Sequence, residues 1–454
     1  MEIKPKLQVT GYRGIWGESL NEQIAFEYIR SFAKWIRSLG GRKVLIGRDT
    51  RPSGVNIFSI ARKAFIIEGI EVTDIGIIPT PSTLLLVKKL KTDGGVMITA
   101  SHNPIEYNGI KFVVQGGRLT NKDEVAMIEK FRATLSEKER IPSHVEIENE
   151  KVDNQEFRKI HINEVIKNID ASLIRKNKFR VVLDPVNGAG SIITQELLKE
   201  LGCEVNAINE KQTGAFAHPP EPLAQNLGQI ENAVSVHKAD VGFAQDPDAD
   251  RLVVIDEKGV VVSEEHTLVL VIKNVLAKTP GDIVINIASS RMSEDIAKGY
   301  GKKTFKTKIG EANVVAKMLE VNAPVGGEGG GGAIYPKINT SRDSLVCIGL
   351  ILELMARENK KISEIVDDLP KYYMKKDKIP AREDANLLYD KLKKQFPDAK
   401  IDELDGVRFD WPDSSWLNVR SSITEPIIRI FGEAKTEARV NSLFEQVKLT
   451  LNGN

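Results

Sequence analysis

The chain has 454 residues, which is beyond the size at which a single hydrophobic core stops growing, so we expect three or four domains of about 100–150 residues each. Its 64 Lys and Arg against 63 Asp and Glu give a net charge of +1, which excludes a strongly basic nucleic-acid-binding protein. The longest apolar run, residues 345–352, is too short to cross a bilayer, and no apolar targeting segment opens the chain. We therefore expect a soluble, cytoplasmic protein without a nucleic-acid or membrane partner. Cys203 and Cys347 are expected to be buried thiols without a functional role.

Three segments repeat one pattern: an apolar strand, a small or polar turn, an amphipathic helix and a second strand introduced by Gly. They occupy residues 43–76, 179–208 and 282–310. Strands that alternate with helices at this spacing are typical of βαβ units on a largely parallel sheet. The fold class predicted from this repeat is α/β, with three similar mixed α/β domains.

The pattern changes after about residue 369, where connections rich in Asp, Lys and Pro separate strands at residues 415–419 and 427–431 from a closing helix near residues 435–451. This pattern predicts a smaller α+β domain at the carboxyl end. A charged segment, residues 136–159, is expected to contain the link between the first two domains. The predicted domains span residues 1–150, 151–255, 256–368 and 369–454.

Each α/β segment leads into a further apolar strand and then into a loop of unusual composition. These strands and loops occupy residues 95–104, 241–251 and 324–332. In open α/β sheets, ligands bind beyond the carboxyl ends of the strands. We therefore predict that the three loops face one cleft.

The second of these loops carries three alternating carboxylates, Asp246, Asp248 and Asp250. Converging carboxylates repel one another unless a hard divalent cation lies between them, and Mg²⁺ is the natural candidate. With Glu257 they also occupy positions 1, 3, 5 and 12 of an EF-hand. However, Arg251 stands where that loop requires Gly, and apolar residues 252–255 predict a strand that would carry Glu257 away from the metal.

The first loop places Ser101 in a turn with the sequence Ser-His-Asn-Pro. No Gly-x-Ser-x-Gly elbow surrounds Ser101, so acyl-transfer hydrolysis is disfavoured. Beside a divalent cation, a serine instead fits the role of phosphate carrier. Lys111 and Arg13 are plausible cations for the same phosphoryl group. His102 is interpreted either as a structural hydrogen-bonding residue or as a member of the catalytic set.

The glycine run at residues 326–332 is followed by Ala-Ile-Tyr-Pro, which forms no helix, so neither a dinucleotide-binding loop nor a Walker loop fits. Within it, Glu328 is suited to bind a pair of sugar hydroxyls. Near the carboxyl end, residues 420–426 and Arg429 combine guanidinium groups, hydroxyls and loop amides. This inventory favours a site that grips a phosphate which does not react.

Together these motifs closely resemble the α-D-phosphohexomutase family, whose members include phosphoglucomutase, phosphomannomutase and phosphoglucosamine mutase. Its phosphoserine, metal, sugar and phosphate loops correspond to residues 99–104, 246–251, 327–332 and 420–426. Lesser matches lie at residues 10–14, 47–51, 184–188 and 218–222. The resemblance spans nearly the whole chain and implies a heart-shaped enzyme of four domains.

The resemblance further implies an enzyme that interconverts hexose 1-phosphate and hexose 6-phosphate of the glucose or mannose type. Ser101 would carry the phosphate, and its phosphate oxygen would join the three aspartates around one Mg²⁺. A hexose 1,6-bisphosphate would serve as intermediate and activator, turning within the cleft while the fourth domain closes over it. The implied catalytic residues are Ser101, Arg13, Lys111 and His102. The implied substrate-binding residues are Arg251, Lys308, Glu328, Gly330, Arg420, Ser422, Thr424 and Arg429.

The sequence departs from the family pattern in its sugar loop. Many relatives place Ser or Asn at the position of Gly330, and many bacterial members place His at Gly332. Hydroxyl discrimination at C2 is therefore expected to be loose, and the general acid/base stays open, with Lys111 and Arg13 as candidates. Gln8 and Val9 also replace the Gly-Thr that usually precedes the amino-terminal motif.

Three other functions are kept beside the leading one. A hexosamine-phosphate mutase would use the same machinery. An aspartyl phosphotransferase would use Asp246 as its nucleophile, although such enzymes place Thr or Val where Asp250 stands. A Ca²⁺-dependent sugar-binding protein would bind without turnover. The preferred sugar and the oligomeric state are left open.

Overall fold

The computed structural model describes residues 7–142, 144, 146, 152–381, 384–422 and 427–452. The chain divides into two compact units. The larger unit contains residues 4–274 and 330–366, and the smaller unit contains residues 1–3, 275–329 and 367–454. Within the described residues, every helix is too short or too polar to cross a membrane.

The first α/β region lies in the larger unit and is built on a six-stranded mixed sheet. Its elements are β1 (Tyr12–Ile15), α1 (Glu22–Ser38), β2 (Lys43–Arg48), α2 (Gly54–Ile67), β3 (Glu71–Ile77), α3 (Thr80–Lys89), β4 (Gly94–Ile98), β5 (Tyr107–Val114), β6 (Arg118–Leu119), α4 (Lys122–Ala133) and α5 (Glu137–Arg140). The strand order is β1-β5-β4-β2-β3, with β6 paired to β5. Strand β2 runs parallel to β3 and β4, as the repeat predicted, whereas β5 is antiparallel to both β4 and β1.

Helix α1 shows how the sequence builds this region. Asn21 caps its start by accepting a hydrogen bond from the backbone of Ile24 at 3.0 Å, which satisfies one of the free amides of the first turn. Apolar residues at helical spacing then place Phe32 in the core, where its ring stacks on Phe112 of β5 with centroids 4.5 Å apart. The helix is thereby fixed against the sheet that leads to the serine loop.

The second α/β region, also in the larger unit, has the strand order β11-β10-β9-β7-β8. Its elements are α6 (Gln155–Lys167), α7 (Ala171–Asn177), β7 (Arg180–Asp184), α8 (Gly190–Glu200), β8 (Glu204–Ala207), α9 (Gly228–His237), β9 (Val241–Gln245), β10 (Leu252–Ile255) and β11 (Val261–Val262). Strand β7 is parallel to β8 and β9, while β9 and β10 form an antiparallel pair. The charged segment at residues 136–159, predicted to contain the link between the first two domains, ends inside helix α6.

The third α/β region contributes elements to both units. Its elements are α10 (Glu264–Lys278), β12 (Ile283–Asn286), α11 (Arg291–Gly299), β13 (Thr304–Thr307), α12 (Glu311–Val321), β14 (Val325–Glu328), β15 (Gly332–Ile334), α13 (Ser344–Glu358) and α14 (Ile362–Asp367). In the smaller unit, β12 pairs in parallel with both β13 and β14. Strands β12 to β14 and helices α11 and α12 belong to the smaller unit, whereas β15 and α13 belong to the larger unit.

The carboxyl-terminal region is an antiparallel sheet with two helices, all within the smaller unit. Its elements are β16 (Tyr373–Pro380), α15 (Ala385–Gln395), β17 (Lys400–Asp402), β18 (Val407–Asp410), β19 (Trp416–Ser421), β20 (Ile427–Ala434) and α16 (Glu437–Asn452). The strand order is β16-β20-β19-β18-β17. Strand β19 continues two residues beyond the predicted end because Arg420 and Ser421 remain paired with β20. The predicted α+β character is confirmed.

Cys203 and Cys347 are both buried free thiols, as expected from the sequence. Burial raises the pKa of each thiol to about 12. A thiol that stays protonated at neutral pH is a poor nucleophile and a poor metal ligand. The two cysteines therefore act as apolar core residues.

Candidate active site

The serine loop follows the carboxyl end of β4. Ser101 is 1% exposed and has a φ of 54°, in the left-handed region that L-residues rarely adopt. Its hydroxyl donates a hydrogen bond to Oδ2 of Asp246 at 2.9 Å. The Nδ1 atom of His102 lies 3.3 Å from the same hydroxyl oxygen. The predicted nucleophile and the first predicted metal ligand are therefore in direct contact.

The metal loop is the turn between β9 and β10, so two buried antiparallel strands hold it at both ends. Asp246, Asp248 and Asp250 each offer one carboxylate oxygen, and these oxygens lie within 4.8 Å of one another. The Oδ1 atoms of Asp248 and Asp250 are buried and have no hydrogen-bond partner among the described residues. Three buried carboxylates, two of them with an unsatisfied oxygen, are the donor set that a hard divalent cation requires, so this cluster can hold a metal ion.

The EF-hand alternative is wrong for this loop. Residues 252–255 form strand β10, which leads Glu257 away from the three aspartates. The Glu257 carboxylate instead accepts hydrogen bonds from the hydroxyl of Ser363 at 2.6 Å and from its amide at 3.2 Å, at the start of α14.

Two basic side chains and a hydroxyl surround the aspartates. Nζ of Lys111 lies 2.7 Å from Oδ2 of Asp248 and 3.7 Å from Oδ2 of Asp250. The hydroxyl of Thr80 donates to the same Asp248 oxygen at 2.5 Å. An Nη atom of Arg342 lies 2.8 Å from Oδ2 of Asp250. The sequence predicted Lys111 but gave no signal for Thr80 or Arg342, which come from segments distant in the chain.

The carboxylates respond to this environment in opposite directions. Burial and the neighbouring Asp250 and Asp248 charges raise the pKa of Asp246 well above its ordinary value. Burial also acts to raise the pKa of Asp248, but the charge and hydrogen bond of Lys111 outweigh it and lower that pKa. Asp248 is therefore ionised beside Lys111, whereas the ionised form of Asp246 is disfavoured by the neighbouring carboxylates.

Arg13 and His102 lie in the electrostatic field of the same cluster. Burial lowers the pKa of Arg13, and Asp248 and Asp250 oppose that shift. The Arg13 Nε atom is buried and has no hydrogen-bond partner among the described residues. Burial, followed by the charges of Arg251 and Arg13, lowers the pKa of His102 well below its ordinary value. His102 is thus a neutral imidazole at pH 7, and its surroundings disfavour the protonated form.

Arg251 lies at the edge of this group. Its Nη1 atom is 3.3 Å from Oε1 of Glu221, and Nε2 of His102 is 3.7 Å from the same oxygen. Glu221 belongs to the segment at residues 218–222 that the sequence singled out only as a lesser family match. Its carboxylate faces both predicted site residues, so it is a further member of the candidate site that the sequence did not identify.

In the smaller unit, Glu328 ends strand β14. Its side chain is buried, and its Oε1 atom accepts hydrogen bonds from the Asn286 amide at 3.0 Å and the Gly310 backbone at 2.7 Å. Lys308 precedes that backbone turn and is exposed. Two predicted substrate-binding residues therefore lie on one pair of loops at the ends of parallel strands.

Asp405 connects these loops to the predicted phosphate site. Its carboxylate accepts a hydrogen bond from the backbone of Ile309 at 2.9 Å and lies 3.4 Å from Nε of Arg420. Arg420 is directly opposite Arg429 across β19 and β20, and Ser422 closes the strand pair through its backbone. Like charges in register destabilise a sheet, which favours an anion beside them. The predicted residue Thr424 lies outside the described residues.

The glycines that depart from the family pattern have different surroundings. Gly330 has a φ of +103°, which strains any larger residue, although nothing lies within 4 Å of a Cβ placed there. A Cβ on Gly332 would overlap the side chain of Arg342. Because Arg342 also reaches Asp250, its side chain occupies the space that a residue larger than Gly332 would need.

Family models match nearly the whole chain. Phosphoglucomutase/phosphomannomutase α/β/α domains I, II and III match residues 4–139, 159–259 and 263–373. The carboxyl-terminal domain of the same family matches residues 366–450.

Individual relatives agree with the family models. A phosphoglucomutase/phosphomannomutase of Thermococcus kodakarensis is 37% identical and covers 96% of both chains. A phosphoglucosamine/phosphogalactosamine mutase of Sulfurisphaera tokodaii is 33% identical and covers 98% of both. A crystal structure of a phosphoglucomutase/phosphomannomutase family protein from Burkholderia thailandensis has a TM-score of 0.83 at 25% identity, covering 100% of this chain and 98% of that one. The chain therefore belongs to the phosphoglucomutase/phosphomannomutase family, the intramolecular phosphotransferases known as α-D-phosphohexomutases.

Proposed function

We propose that this phosphohexomutase interconverts the 1- and 6-phosphates of glucose or mannose through a phosphoserine at Ser101. The observation that carries the proposal is the 2.9 Å contact between the Ser101 hydroxyl and Asp246, inside a cluster of three buried carboxylates. A serine held beside a metal-binding cluster is placed for phosphoryl transfer, because such catalysis depends mainly on positioning and charge neutralisation.

The reaction proceeds in two transfers. The bond between the Ser101 oxygen and phosphorus breaks while the free C6 hydroxyl of the hexose 1-phosphate bonds to phosphorus and loses its proton. This transfer gives the 1,6-bisphosphate and a free serine. The bisphosphate then turns. The bond between phosphorus and the C1 oxygen breaks while the Ser101 oxygen bonds to phosphorus, and the serine proton passes to the C1 oxygen. Hexose 6-phosphate leaves, and the enzyme is phosphorylated again. Added 1,6-bisphosphate restores any enzyme that has lost its phosphate.

We assign different roles in phosphoryl transfer to the residues around Ser101. His102, with Nδ1 3.3 Å from the Ser101 hydroxyl oxygen, helps to orient that hydroxyl. Lys111 lies between two carboxylates, with Nζ 2.7 Å from Asp248 and 3.7 Å from Asp250, and supplies a positive charge beside the transferring group. Arg13 supplies a second buried cation for the transferring group.

The three aspartates and Ser101 would hold one Mg²⁺. Their oxygen-only donor set suits a small hard cation. When bound, Mg²⁺ supplies neutralisation of the negative charge that develops on the transferring phosphoryl oxygens.

Substrate recognition is assigned to the other predicted residues. Glu328 and Lys308 bind the sugar hydroxyls and Arg251 contributes a cation near the serine loop. Arg420, Arg429, Ser422 and Thr424 grip the phosphate that is not reacting. The facing positions of Arg420 and Arg429 on β19 and β20 support this last role, since guanidinium groups bind phosphate oxygens through paired, charge-assisted hydrogen bonds.

A hexosamine phosphate is the second candidate substrate. The similarity to the phosphoglucosamine/phosphogalactosamine mutase of Sulfurisphaera tokodaii favours it. Gly330 brings no side chain that could reject a substituent at C2, and the space around its Cα is open. Loose discrimination at C2 would let one site accept both kinds of sugar.

The test is a turnover panel with the 1-phosphates of glucose, mannose and glucosamine, in Mg²⁺ and after its removal by a chelator. Wild type is compared with Ser101→Ala and with Ser82→Ala, a buried serine outside the proposed site. We expect 6-phosphates that form only with Mg²⁺ and are lost, by at least about 10⁴-fold, in Ser101→Ala alone. The phosphate should remain on the protein in hydroxylamine, as a serine ester does and an aspartyl phosphate does not.

Any of four results would contradict the proposal. Full activity in Ser101→Ala would exclude the serine as the carrier, and release of inorganic phosphate alone would exclude a mutase. A hydroxylamine-labile phosphate would point to Asp246 as the nucleophile. Binding without turnover, tighter with Ca²⁺ than with Mg²⁺, would indicate a sugar-binding protein.

A further inference from the structure

Arg51 is a fully buried arginine in the connection between β2 and α2. Its Nη1 atom donates hydrogen bonds to the backbone carbonyls of Pro104 at 2.5 Å and Tyr107 at 2.9 Å. Its Nη2 atom donates to the carbonyls of Ser101 at 2.7 Å and Asn103 at 2.6 Å. A single guanidinium therefore binds four carbonyls of the loop that carries the proposed nucleophile.

Asp49 completes the connection from the opposite side of Ser101. Oδ2 of Asp49 lies 3.1 Å from Nε of Arg51 and accepts a hydrogen bond from the hydroxyl of Thr99 at 2.6 Å. The Thr99 oxygen in turn accepts a hydrogen bond from the backbone amide of Ser101 at 2.8 Å. Both the amide and the carbonyl of Ser101 are thereby tied to the same buried ion pair.

These contacts explain why Ser101 keeps a strained backbone. Its φ of 54° is unfavourable for an L-residue and persists only where the surroundings enforce it. The backbone angles of Ser101 decide where its Cβ and hydroxyl point, and here the hydroxyl meets Asp246 at 2.9 Å. Loss of the four carbonyl contacts would let the loop relax and move the hydroxyl.

We propose that Arg51 is a positioning residue for phosphoryl transfer, which holds the serine loop in the left-handed geometry that presents Ser101 to Asp246. This inference rests on the proposed role of Ser101 as phosphate carrier. Arg51 contacts only backbone within the loop, so it acts through Ser101 and does not touch the substrate. An arginine is required because its planar guanidinium offers five donors in a fixed array, whereas a lysine offers a point charge with three. The ring of Phe216 lies 5.0 Å from the guanidinium carbon and covers it.

The test is Arg51→Lys, which keeps the charge and most of the volume but cannot reach four carbonyls. Enzyme is phosphorylated with glucose 1,6-bisphosphate, its phosphoserine content is measured by mass spectrometry, and transfer to glucose 1-phosphate is followed in a single turnover. We expect the transfer rate per phosphorylated enzyme to fall about 100-fold, the size of effect that a displacement of about 1 Å produces. KM for glucose 1-phosphate should stay within about twofold, because no residue proposed to bind the sugar or the non-reacting phosphate is altered.

Arg30→Lys is the matched control within the same region. Arg30 is also largely buried, with Nε 2.8 Å from Glu68 and Nη1 donating to the carbonyl of Glu139, but it does not contact the serine loop. It should lose stability and keep its transfer rate within about twofold. Thr99→Ser and Thr99→Val give a second readout. The serine variant retains the hydroxyl and should keep the transfer rate of wild type. The valine variant loses the hydroxyl, and its transfer rate should fall at least about tenfold.

Folding defects and mechanism can be separated. A defect of folding alone would reduce the amount of phosphorylated enzyme while leaving the rate of each phosphorylated molecule unchanged. If Arg51→Lys yields too little folded protein, the double variant Asp49→Asn/Arg51→Gln, which removes both buried charges, replaces it. The same transfer rate per phosphorylated enzyme is then measured for the double variant. Transfer within about threefold of wild type in the variant measured would overturn the proposal. Absence of phosphoserine in wild type would instead overturn the role of Ser101.

Discussion

The loops of the larger unit and those of the smaller unit hold their functional residues in different ways. In the larger unit, Ser101 and the three aspartates are almost completely buried, and cations lie 2.7–3.7 Å from Asp248 and Asp250. In the smaller unit, Lys308 is exposed and two arginines face each other across adjacent strands. The groups proposed for the chemistry are therefore buried among opposite charges, whereas those proposed for recognition include partly or fully exposed cations that a phosphate can reach.

This difference fits the demands of the reaction. Charge that develops during phosphoryl transfer is stabilised best by groups whose positions are already fixed, since they need not reorganise. Recognition of a substrate that must bind in two orientations is served better by a positive surface that accepts either phosphate. The following predictions test whether the two kinds of site respond differently to substitution.

The largest effect is expected from Lys111→Met, which removes the ammonium 2.7 Å from Asp248. Turnover should fall about 100–1000-fold, because a preorganised charge is lost from the buried centre. Mg²⁺ should nevertheless bind more tightly, since Lys111 no longer compensates the Asp248 carboxylate. Kinetics and calorimetric titration with Mg²⁺ measure the two changes.

Lys89→Met is the control for this prediction, because Lys89 forms an ion pair with Glu164 that is partly exposed. It should change neither quantity by more than about twofold. Weaker Mg²⁺ binding in Lys111→Met would show that the ammonium organises the cluster and does not compete with the metal.

In the smaller unit, Arg420→Ala should act on binding. A charged hydrogen bond to a phosphate contributes about 1.5–3 kcal/mol, so KM should rise about 10–100-fold. The value of kcat should change less, because the residue grips the phosphate that does not react. Steady-state kinetics with each hexose 1-phosphate measure both constants.

Arg439→Ala provides a comparison within the same unit. Arg439 lies over the ring of Trp411 and 3.1 Å from Asp413, with no predicted role in binding. Its KM should be that of wild type. If Arg420→Ala lowered kcat and left KM unchanged, Arg420 would act in the chemical step and not in recognition.

Local sequence patterns were sufficient for much of this molecule. The alternation of Asp246, Asp248 and Asp250 after an apolar strand identified the acidic cluster, and the recurring strand–helix pattern gave the fold class. Thr80 and Arg342 were missed because they reach the aspartates from 168 and 92 residues away in the chain. No short pattern encodes such pairings, which depend on how the sheets and helices pack. Arg51 lies within a family motif at residues 47–51, but its four carbonyl contacts could be recognised only in the folded structure.

A smaller effect is expected at Arg342, which lies on Asp250 and fills the space beside Gly332. Arg342→Ala should lower turnover about tenfold by removing one cation from the cluster. Gly332→Ala should give a similar loss, because the new methyl group displaces the Arg342 side chain. Rates for the two single variants and the double variant complete a double-mutant cycle.

The cycle distinguishes a shared mechanism from two separate ones. If Gly332→Ala acts by displacing Arg342, the double variant should be no slower than Arg342→Ala alone. Losses that multiply in the double variant would mean that Gly332 is needed for its own backbone geometry.

The smallest effect on activity is expected at His218, which forms a largely buried pair with Asp184 in the larger unit. Nε2 of His218 lies 3.2 Å from Oδ2 of Asp184, and Nδ1 lies 2.9 Å from the carbonyl oxygen of Pro219. Burial acts to lower the pKa of His218, but the hydrogen bond and charge of Asp184 outweigh it and raise that pKa above its ordinary value. His218→Gln should leave turnover within about twofold and reduce the free energy of unfolding by about 1.5–3 kcal/mol at pH 5.5.

The sign of the pH dependence follows from the raised pKa. The folded protein holds the proton on His218 more tightly than the unfolded chain does, so the stabilisation is complete below the unfolded pKa of about 6.5. It is lost as the pH rises through the higher folded pKa, and the difference between wild type and His218→Gln should therefore shrink between pH 6.5 and 9. Urea unfolding at three pH values measures it, with the exposed His237→Gln as control. A difference that grows with pH would mean that His218 is neutral in the fold and that Asp184 does not hold a proton on it.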